Sequence, residues 1–476
     1  MKVLFTSAEC APFFKTGGLG DVIGALPKEL VKKGTEVAVV LPYFTKLPQQ
    51  YKEACQDLFH FTVNVGWREQ YCGVKRLTMN KVDYYFIDNR YYFDREGLYG
   101  YFDDGERFAF FQMAAIELME QIEFIPDIFH ANDYHTAMIP FLIKEKYHWI
   151  NAYQSIRTVL TIHNMEFQGR YNPEILLDLF GMGMERFYDG AVRFDNDVNF
   201  LKAGIQYADR VNTVSPSYAV EIQTTDFGHG LDGILRMEQN KLRGIVNGID
   251  YEINNPETDE LLFANFSKEN LAGKKENKRE LQKLLGLPVQ EDVPLIAVVS
   301  RLTRQKGFPL VLQELDHMLQ LDVQFALLGT GDSDLEDQFR NFDEGYPDKC
   351  AITIDFDLQL AQQLYAGADI FLMPSAFEPC GLSQMISMRY GTLPVVHEVG
   401  GLKDTVVPYN PIEKTGTGFG FANFSSFYLM DAVKKAVDLY NSDPETWFQL
   451  MKRAMTQDFS WETSSEKYLE LYQEIV

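Results

Sequence analysis

The sequence predicts an α/β protein of two Rossmann-like doubly wound domains, and three observations predict it. Short apolar runs ending in Gly, Ser, Asn or His recur along the chain, each followed by a helix-like stretch, which is how strands buried on both faces of a parallel sheet read. The runs fall into two successive series, which calls for two sheets. A chain of 476 residues exceeds one ordinary core and suits two domains of roughly 200 residues each.

The first series comprises Val3 to Ser7, Val37 to Leu41, Tyr84 to Ile87, Asp127 to His130, Thr158 to His163, Val211 to Val214 and Gly244 to Asn247. The second comprises Leu295 to Ser300, Phe325 to Leu328, Ala351 to Ile354, Ile370 to Met373 and Leu393 to His397. Between them, Asn247-Gly248-Ile249-Asp250 leads into the polar segment Tyr251 to Asp259, where the hinge is expected. Domains of residues 1–246 and 247–459 follow, with 460–476 completing the first. In that last segment Ser460 is a helix N-cap, and Trp461, Tyr468, Leu469, Tyr472, Ile475 and Val476 form an apolar stripe. The stripe suits packing on the second domain or a return onto the first; the boundaries adopt the return. Pro27, inside the helical pattern of Val22, Ile23, Leu26 and Leu30, is expected to kink or restart that helix.

An apolar fraction of 46% with 14% aromatics supplies two cores and excludes long disordered stretches. The formal charge of −24 argues against a nucleic acid or an anionic membrane as partner, since both need an extended basic face. Five scattered cysteines without a C-x-x-C pair indicate reduced thiols and a cytoplasmic setting. The N-terminus has no leader-like pattern, and no run approaches the ~20 apolar residues of a membrane span. A homo-oligomer is compatible with the sequence, which carries no motif that sets a stoichiometry.

In so acidic a chain, cations beside glycine turns are informative. Lys15-Thr16-Gly17-Gly18-Leu19-Gly20-Asp21 lies between a strand and a helix. Backbone amides and a helix dipole can meet a phosphate there. The spacing is neither the dinucleotide fingerprint nor a Walker loop, and a plain tight turn fits equally well. Ser300-Arg301-Leu302-Thr303-Arg304-Gln305-Lys306-Gly307 follows another strand. Arg301 and Lys306 sit where open sheets bind ligands and can hold a diphosphate, although a solvated basic loop reads the same way. Phe377-Glu378-Pro379-Cys380-Gly381-Leu382 offers a carboxylate for sugar hydroxyls or a cationic sugar carbon; a helix N-terminal acid is the alternative. His163, Asp133 and His135 end strands of the first domain. No metal-ligand spacing, nucleophile elbow or assignable carboxylate pair appears, and no cofactor is called for. Unaided, the residues describe a two-domain, diphosphate-handling α/β protein.

These clusters resemble those of bacterial glycogen synthases and plant starch synthases, retaining glycosyltransferases of GT-B architecture, along the whole chain. The matching strings are Lys15 to Val22, Thr161 to Asn164, Thr213 to Pro216, Asn247 to Asp250, Ser300 to Leu302 with Gln305 to Gly307, Phe377 to Leu382, and Arg389 to Pro394. The resemblance implies two doubly wound domains facing a deep interdomain cleft, ADP-glucose as donor and an α-1,4-glucan (glycogen) as acceptor, extended at its non-reducing 4-hydroxyl with retention. It implies that Lys15 and Gly18 contact the donor, Arg301 and Lys306 hold its phosphates, and Glu378 faces its glucose. It sets His163 beside the anomeric carbon, Asp133 and His135 near the sugar, Phe356 on the adenine and Lys278 at a further family lysine. The same strings place Asp21, Asn247, Cys380, Gly381 and Leu382 among the substrate-binding residues. Asn132 and Tyr134 stand where the family commonly has His and Trp, Ala376 where Arg is frequent, and Ile386 where many relatives carry a second acid.

Two rivals remain at this point: another nucleotide-sugar enzyme of the same fold, such as a sucrose-synthase-like transferase or an epimerase, and a glucan-binding protein without turnover. Lys15, Arg301, Lys306 and Glu378 together disfavour the second, because a glucan binder has no use for a phosphate clamp.

Overall fold

The computed structural model describes residues 1–476, and the chain divides into two compact units, Met1–Asn247 with Trp461–Val476, and Gly248–Ser460. In chain order the strands of the first unit are β1 (Lys2–Thr6), β2 (Glu36–Pro42), β3 (Gln56–Val65), β4 (Arg68–Met79), β5 (Val82–Asp88), β6 (Ile128–Asn132), β7 (Arg157–Ile162), β8 (Arg170–Tyr171), β9 (Arg193–Phe194), β10 (Asp197–Asn199), β11 (Arg210–Thr213) and β12 (Leu242–Gly244). Nine of them form one sheet in the order β12-β11-β7-β6-β1-β2-β5-β4-β3, and β8, β10 and β9 make a small antiparallel sheet. The large sheet is parallel from β12 to β5, while β4 runs antiparallel to both β5 and β3.

The parallel strands are hydrophobic on both sides because both are covered. Ile128 and Val159 join one buried cluster, whereas Ala131, Leu160 and Ile162 join another on the opposite face. The helix Trp461–Gln473 belongs to this unit: buried Tyr468 and Tyr472 reach the sheet, where their hydroxyls meet Asn212 Nδ2 at 3.1 Å and His130 Nδ1 at 2.7 Å.

The second unit carries β13 (Leu295–Val299), β14 (Gln324–Leu328), β15 (Cys350–Thr353), β16 (Ile370–Met373), β17 (Leu393–His397) and β18 (Phe419–Phe421). They form a six-stranded sheet, β15-β14-β13-β16-β17-β18, with every neighbouring pair parallel. Alternate residues of β13 again feed two cores, Ile296 and Val298 on one face, Leu295 and Ala297 on the other. All loops leaving the strand ends therefore emerge along one edge, where open α/β sheets bind their ligands. No helix is long and apolar enough to cross a membrane.

One element is new and two local expectations change. The hairpin β3–β4 has no counterpart in the sequence reading, since its strands alternate rather than run apolar: Val63 and Val65 are buried while Thr62 and Asn64 are exposed. The strand expected at Gly244 to Asn247 lies earlier, at Leu242–Gly244. The helix Gly18–Lys32 runs uninterrupted through Pro27. Pro27 is buried with Ile23, Leu26 and Leu30, so packing of that face outweighs the one backbone hydrogen bond a proline removes.

Candidate functional site

In the first unit, β1 delivers the chain into Ser7-Ala8-Glu9, and Glu9 organises the glycine turn. Only 2% exposed, its carboxylate accepts hydrogen bonds from Thr16 N at 2.7 Å, Gly17 N at 3.1 Å and Thr16 Oγ1 at 2.7 Å. Tyr99 Oη donates to the same carboxylate. The amides of Thr16 and Gly17 are thus already committed. The open ones are Gly18 and Leu19, in the first turn of the helix that Gly17 caps. A side chain at Gly17 or Gly18 would meet nothing within 4 Å, so packing does not demand glycine there; the empty space suits a phosphate close to the amides. Lys15 Nζ lies 2.6 Å from Asp21 Oδ1 across that turn, both side chains partly exposed.

At the ends of β6 and β7 a second group gathers. Asp133 has φ +56, the left-handed region that Asp tolerates, and Oδ1 accepts from His163 N at 2.7 Å. Burial pushes this carboxyl up to about 7, against the amides of His163 and Asn164, which pull it down. His163 Nε2 faces Asn132 Oδ1 at 2.9 Å, and its Nδ1 is buried without a partner. His135 packs against Tyr134, Phe108 and Tyr99, with ring centroids at 3.9, 4.7 and 4.8 Å, and neither of its nitrogens has a partner. Burial drives both imidazoles down to about 3, so each is a neutral donor and acceptor at physiological pH. Unpaired buried polar atoms cost ~1–3 kcal/mol each, and the two histidines carry three of them. Asp133, His135 and His163 are joined through Tyr99 to Glu9 and the glycine turn. Asn247, beyond β12, has an Oδ1 that is also buried and unpartnered.

In the second unit the turn after β13 is built by close backbone contacts. Gly307 has φ +79, and a Cβ on it would come within 2.0 Å of Pro374 O, so only glycine lets this turn lie against the one after β16. The result is an ion pair: Lys306 Nζ sits 2.6 Å from Glu378 Oε2, with side chains 16% and 8% exposed. Ser375 Oγ donates to the same oxygen at 2.9 Å. Ser375 is fixed in turn by His397 Nδ1, 2.8 Å from its carbonyl. Arg301, on the Lys306 turn, is exposed and carries no ion pair.

The Glu378 turn is clamped from its far side. A Cβ on Gly400 would lie 2.0 Å from Glu378 O, and Gly401 N donates to that carbonyl at 3.1 Å. Gln384 Nε2 binds the carbonyls of Cys380 and Gly381, each at 3.0 Å. Cys380 is buried, and Leu382 caps the helix Ser383–Arg389. Phe356, past the end of β15, is 78% exposed.

Lys278 requires a correction. Its ammonium is buried and held by Asp369 at 2.8 Å, the carbonyls of Glu291 and Val293 at 2.8 and 2.7 Å, and Tyr440 Oη at 3.0 Å. Burial works against its charge, yet Asp369 and Tyr440 keep its pKa above the ordinary lysine range. With every proton taken, it braces the fold and has none left for a substrate. Sequence reasoning missed Glu9, Tyr99, Ser375, His397 and the Gly400-Gly401 pair. For Glu9 a signal existed, an acid just past the end of β1 and seven residues before Thr16, whose amide it anchors.

The family description "Starch synthase catalytic domain" matches residues 2–237, and "Glycosyl transferases group 1" matches residues 281–449. Proteins named glycogen synthase from Ligilactobacillus salivarius and Streptococcus mutans are 62% and 61% identical to this chain, each with 100% of both chains covered. The catalytic domain of starch synthase IV from Arabidopsis thaliana, solved with ADP and acarbose, superposes with a TM-score of 0.92 at 33% identity, covering 100% of this chain and 99% of its own. Sucrose-phosphate synthase from Thermosynechococcus elongatus, at 17% identity and a TM-score of 0.60, shares the fold. A cation-bearing turn clamped to a buried glutamate, on a two-sheet parallel frame matched over its full length, settles the family: the chain belongs to the glycogen and starch synthases, retaining glycosyltransferases of the GT-B fold.

Proposed function

We propose that this protein is a glycogen synthase that transfers glucose from ADP-glucose to the non-reducing 4-hydroxyl of an α-1,4-glucan with retention of configuration. The observation that carries this reading is the Lys306–Glu378 pair at 2.6 Å on the turn that also bears the unpaired Arg301. Two cations beside a buried carboxylate suit a leaving diphosphate next to a sugar that gains positive charge.

As the bond from the anomeric carbon to the phosphate oxygen lengthens, negative charge grows on the diphosphate. Arg301 and Lys306 stabilise it, and each such contact is worth ~3–4 kcal/mol at the transition state. Lys15 and the Gly18 and Leu19 amides form a second anion-binding element. Glu378 faces the sugar, and the main-chain carbonyl of His163 supports the charge on the anomeric carbon. The acceptor 4-hydroxyl attacks from the face the diphosphate leaves, forms the new glycosidic bond and gives its proton to the departing phosphate, so configuration is retained. The exposed Phe356 stacks on the nucleobase. The five cysteines are free, and we place the enzyme in the cytoplasm.

Labelled glucose from ADP-glucose should enter glycogen in a form that β-amylase releases, with UDP-glucose a poorer donor. Label that stays in small molecules, or that is epimerised without a glucan, would remove this reading.

A further inference from the structure

We propose that Asn132 is a positioning residue that holds His163 as its Nε2–H tautomer and thereby presents a bare Nδ1 lone pair to a hydroxyl of the bound sugar. The sugar part of this proposal rests on the reading of His163 as a glucosyl-site residue. The tautomer part does not.

The amide of Asn132 has only one orientation that satisfies its neighbours. Nδ2 lies 3.1 Å from Thr6 O and 3.4 Å from His130 O. Both are carbonyls, which only accept, so the NH2 group must stand there and the amide oxygen must turn the other way. That oxygen is 2.9 Å from His163 Nε2. An amide oxygen has no proton to give, so the hydrogen of this contact sits on Nε2, and in an uncharged imidazole Nδ1 is then an acceptor.

Nδ1 is buried and hydrogen-bonds nothing in the protein. An acceptor in that state calls for a donor from elsewhere, and a sugar hydroxyl is a donor of the right kind. The charged and titratable groups around the ring do not fill the role. Asp133 is turned to the backbone amide of His163, and His130 spends Nδ1 on Tyr472 and Nε2 on Thr161.

The lock is itself braced. Asn132 and Thr161 are register partners on β6 and β7. Behind them the buried hydroxyls of Tyr472 and Tyr468 hold His130 and Asn212, and Thr161 Oγ1 joins those two side chains. The C-terminal helix thus fixes the strand pair from which Asn132 sets the ring.

Nitrogen NMR of the full-length protein labelled in its eight histidines tests the proposal, with the His163 signals identified by their loss in His163→Gln. At pH 7 the expected spectrum shows a protonated-type shift at Nε2 and an unprotonated-type shift at Nδ1. The reverse pattern, or averaged shifts, overturns it. Asn132→Leu should release the tautomer and lower kcat about tenfold, the worth of one well-placed hydrogen bond. A Leu variant with an unchanged tautomer removes Asn132 from the role, and one with a changed tautomer but unchanged kcat removes the sugar contact. If the Leu variant does not fold, the wild-type spectrum decides alone. The Nε2–H tautomer in a protein that transfers no glucose supports the lock and counts only against the proposed activity.

Discussion

Lys306 Nζ and Glu378 Oε2 are 2.6 Å apart, so the cation proposed for the donor phosphate and the carboxylate proposed for the donor sugar hold each other. The pair is mostly buried, and Ser375 adds a hydrogen bond to its carboxylate end. An ammonium has three protons, and Glu378 uses one, which leaves two for phosphate oxygens without breaking the pair. The arrangement fixes both groups relative to one another.

Lys306→Ala is expected to lower kcat by about 10²–10³-fold while glucan binding changes little, because the lost contact is one to the leaving group. Steady-state kinetics at saturating glycogen, with glucan affinity measured separately, check this. An unchanged kcat retires the role.

Glu9→Gln should loosen the glycine turn. The carboxylate accepts from Thr16 N, Thr16 Oγ1, Gly17 N and Tyr99 Oη; an amide brings two hydrogens of its own into that set and leaves at least one donor unmet, at ~1–3 kcal/mol. The expected outcome is a lower Tm together with a KM for ADP-glucose raised about tenfold, a figure that corresponds to ~1.4 kcal/mol. A lower Tm with unaltered KM would make Glu9 a purely structural anchor.

Asp133→Asn should change the pH dependence of stability. The Asp133 carboxyl is pushed up to about 7 by burial, so between its ordinary range near 4 and about 7 the folded protein binds a proton that the unfolded chain has released. Stability contributed by this site is therefore present at low pH and declines as pH rises toward 7. The Asn variant, unable to ionise, should gain in Tm relative to wild type from pH 5 to pH 8. A difference that is flat or shrinks across that interval contradicts the shift.

Lys278→Met should destabilise without harming the chemistry. Removing one partner of the Lys278–Asp369 pair leaves a largely buried carboxylate uncompensated, a loss of ~3–5 kcal/mol. Denaturant unfolding of the second unit should register it, while kcat per folded molecule stays within about twofold, a difference of ~0.4 kcal/mol by transition-state arithmetic. A selective loss of kcat with normal stability would restore Lys278 to the substrate.

What the sequence made legible follows from which faces are buried. Strands such as Leu295–Val299 and Glu36–Pro42 are covered on both sides, so they read as unbroken apolar runs and the two parallel sheets could be foreseen. The hairpin Gln56–Met79 faces solvent on one side, alternates, and left no such signature. Cations on glycine turns at strand ends, Arg301 and Lys306 above all, were visible because parallel strands send their loops to one edge. Lys278 misled because a lysine on a charged helix looks the same whether its ammonium meets water or Asp369; only tertiary structure brings Asp369 to it. Tyr99 meets Glu9 from a position distant in sequence, so nothing local in Tyr99 announces the bond.

The proposed transfer is tested by counting ADP released against glucose incorporated, with and without glycogen. The expected result is one ADP per glucose added to the glucan, negligible release without primer, and collapse of release and incorporation in Lys306→Ala. Sustained ADP release in the absence of glucan, or glycogen that gains no glucose while ADP accumulates, would contradict it.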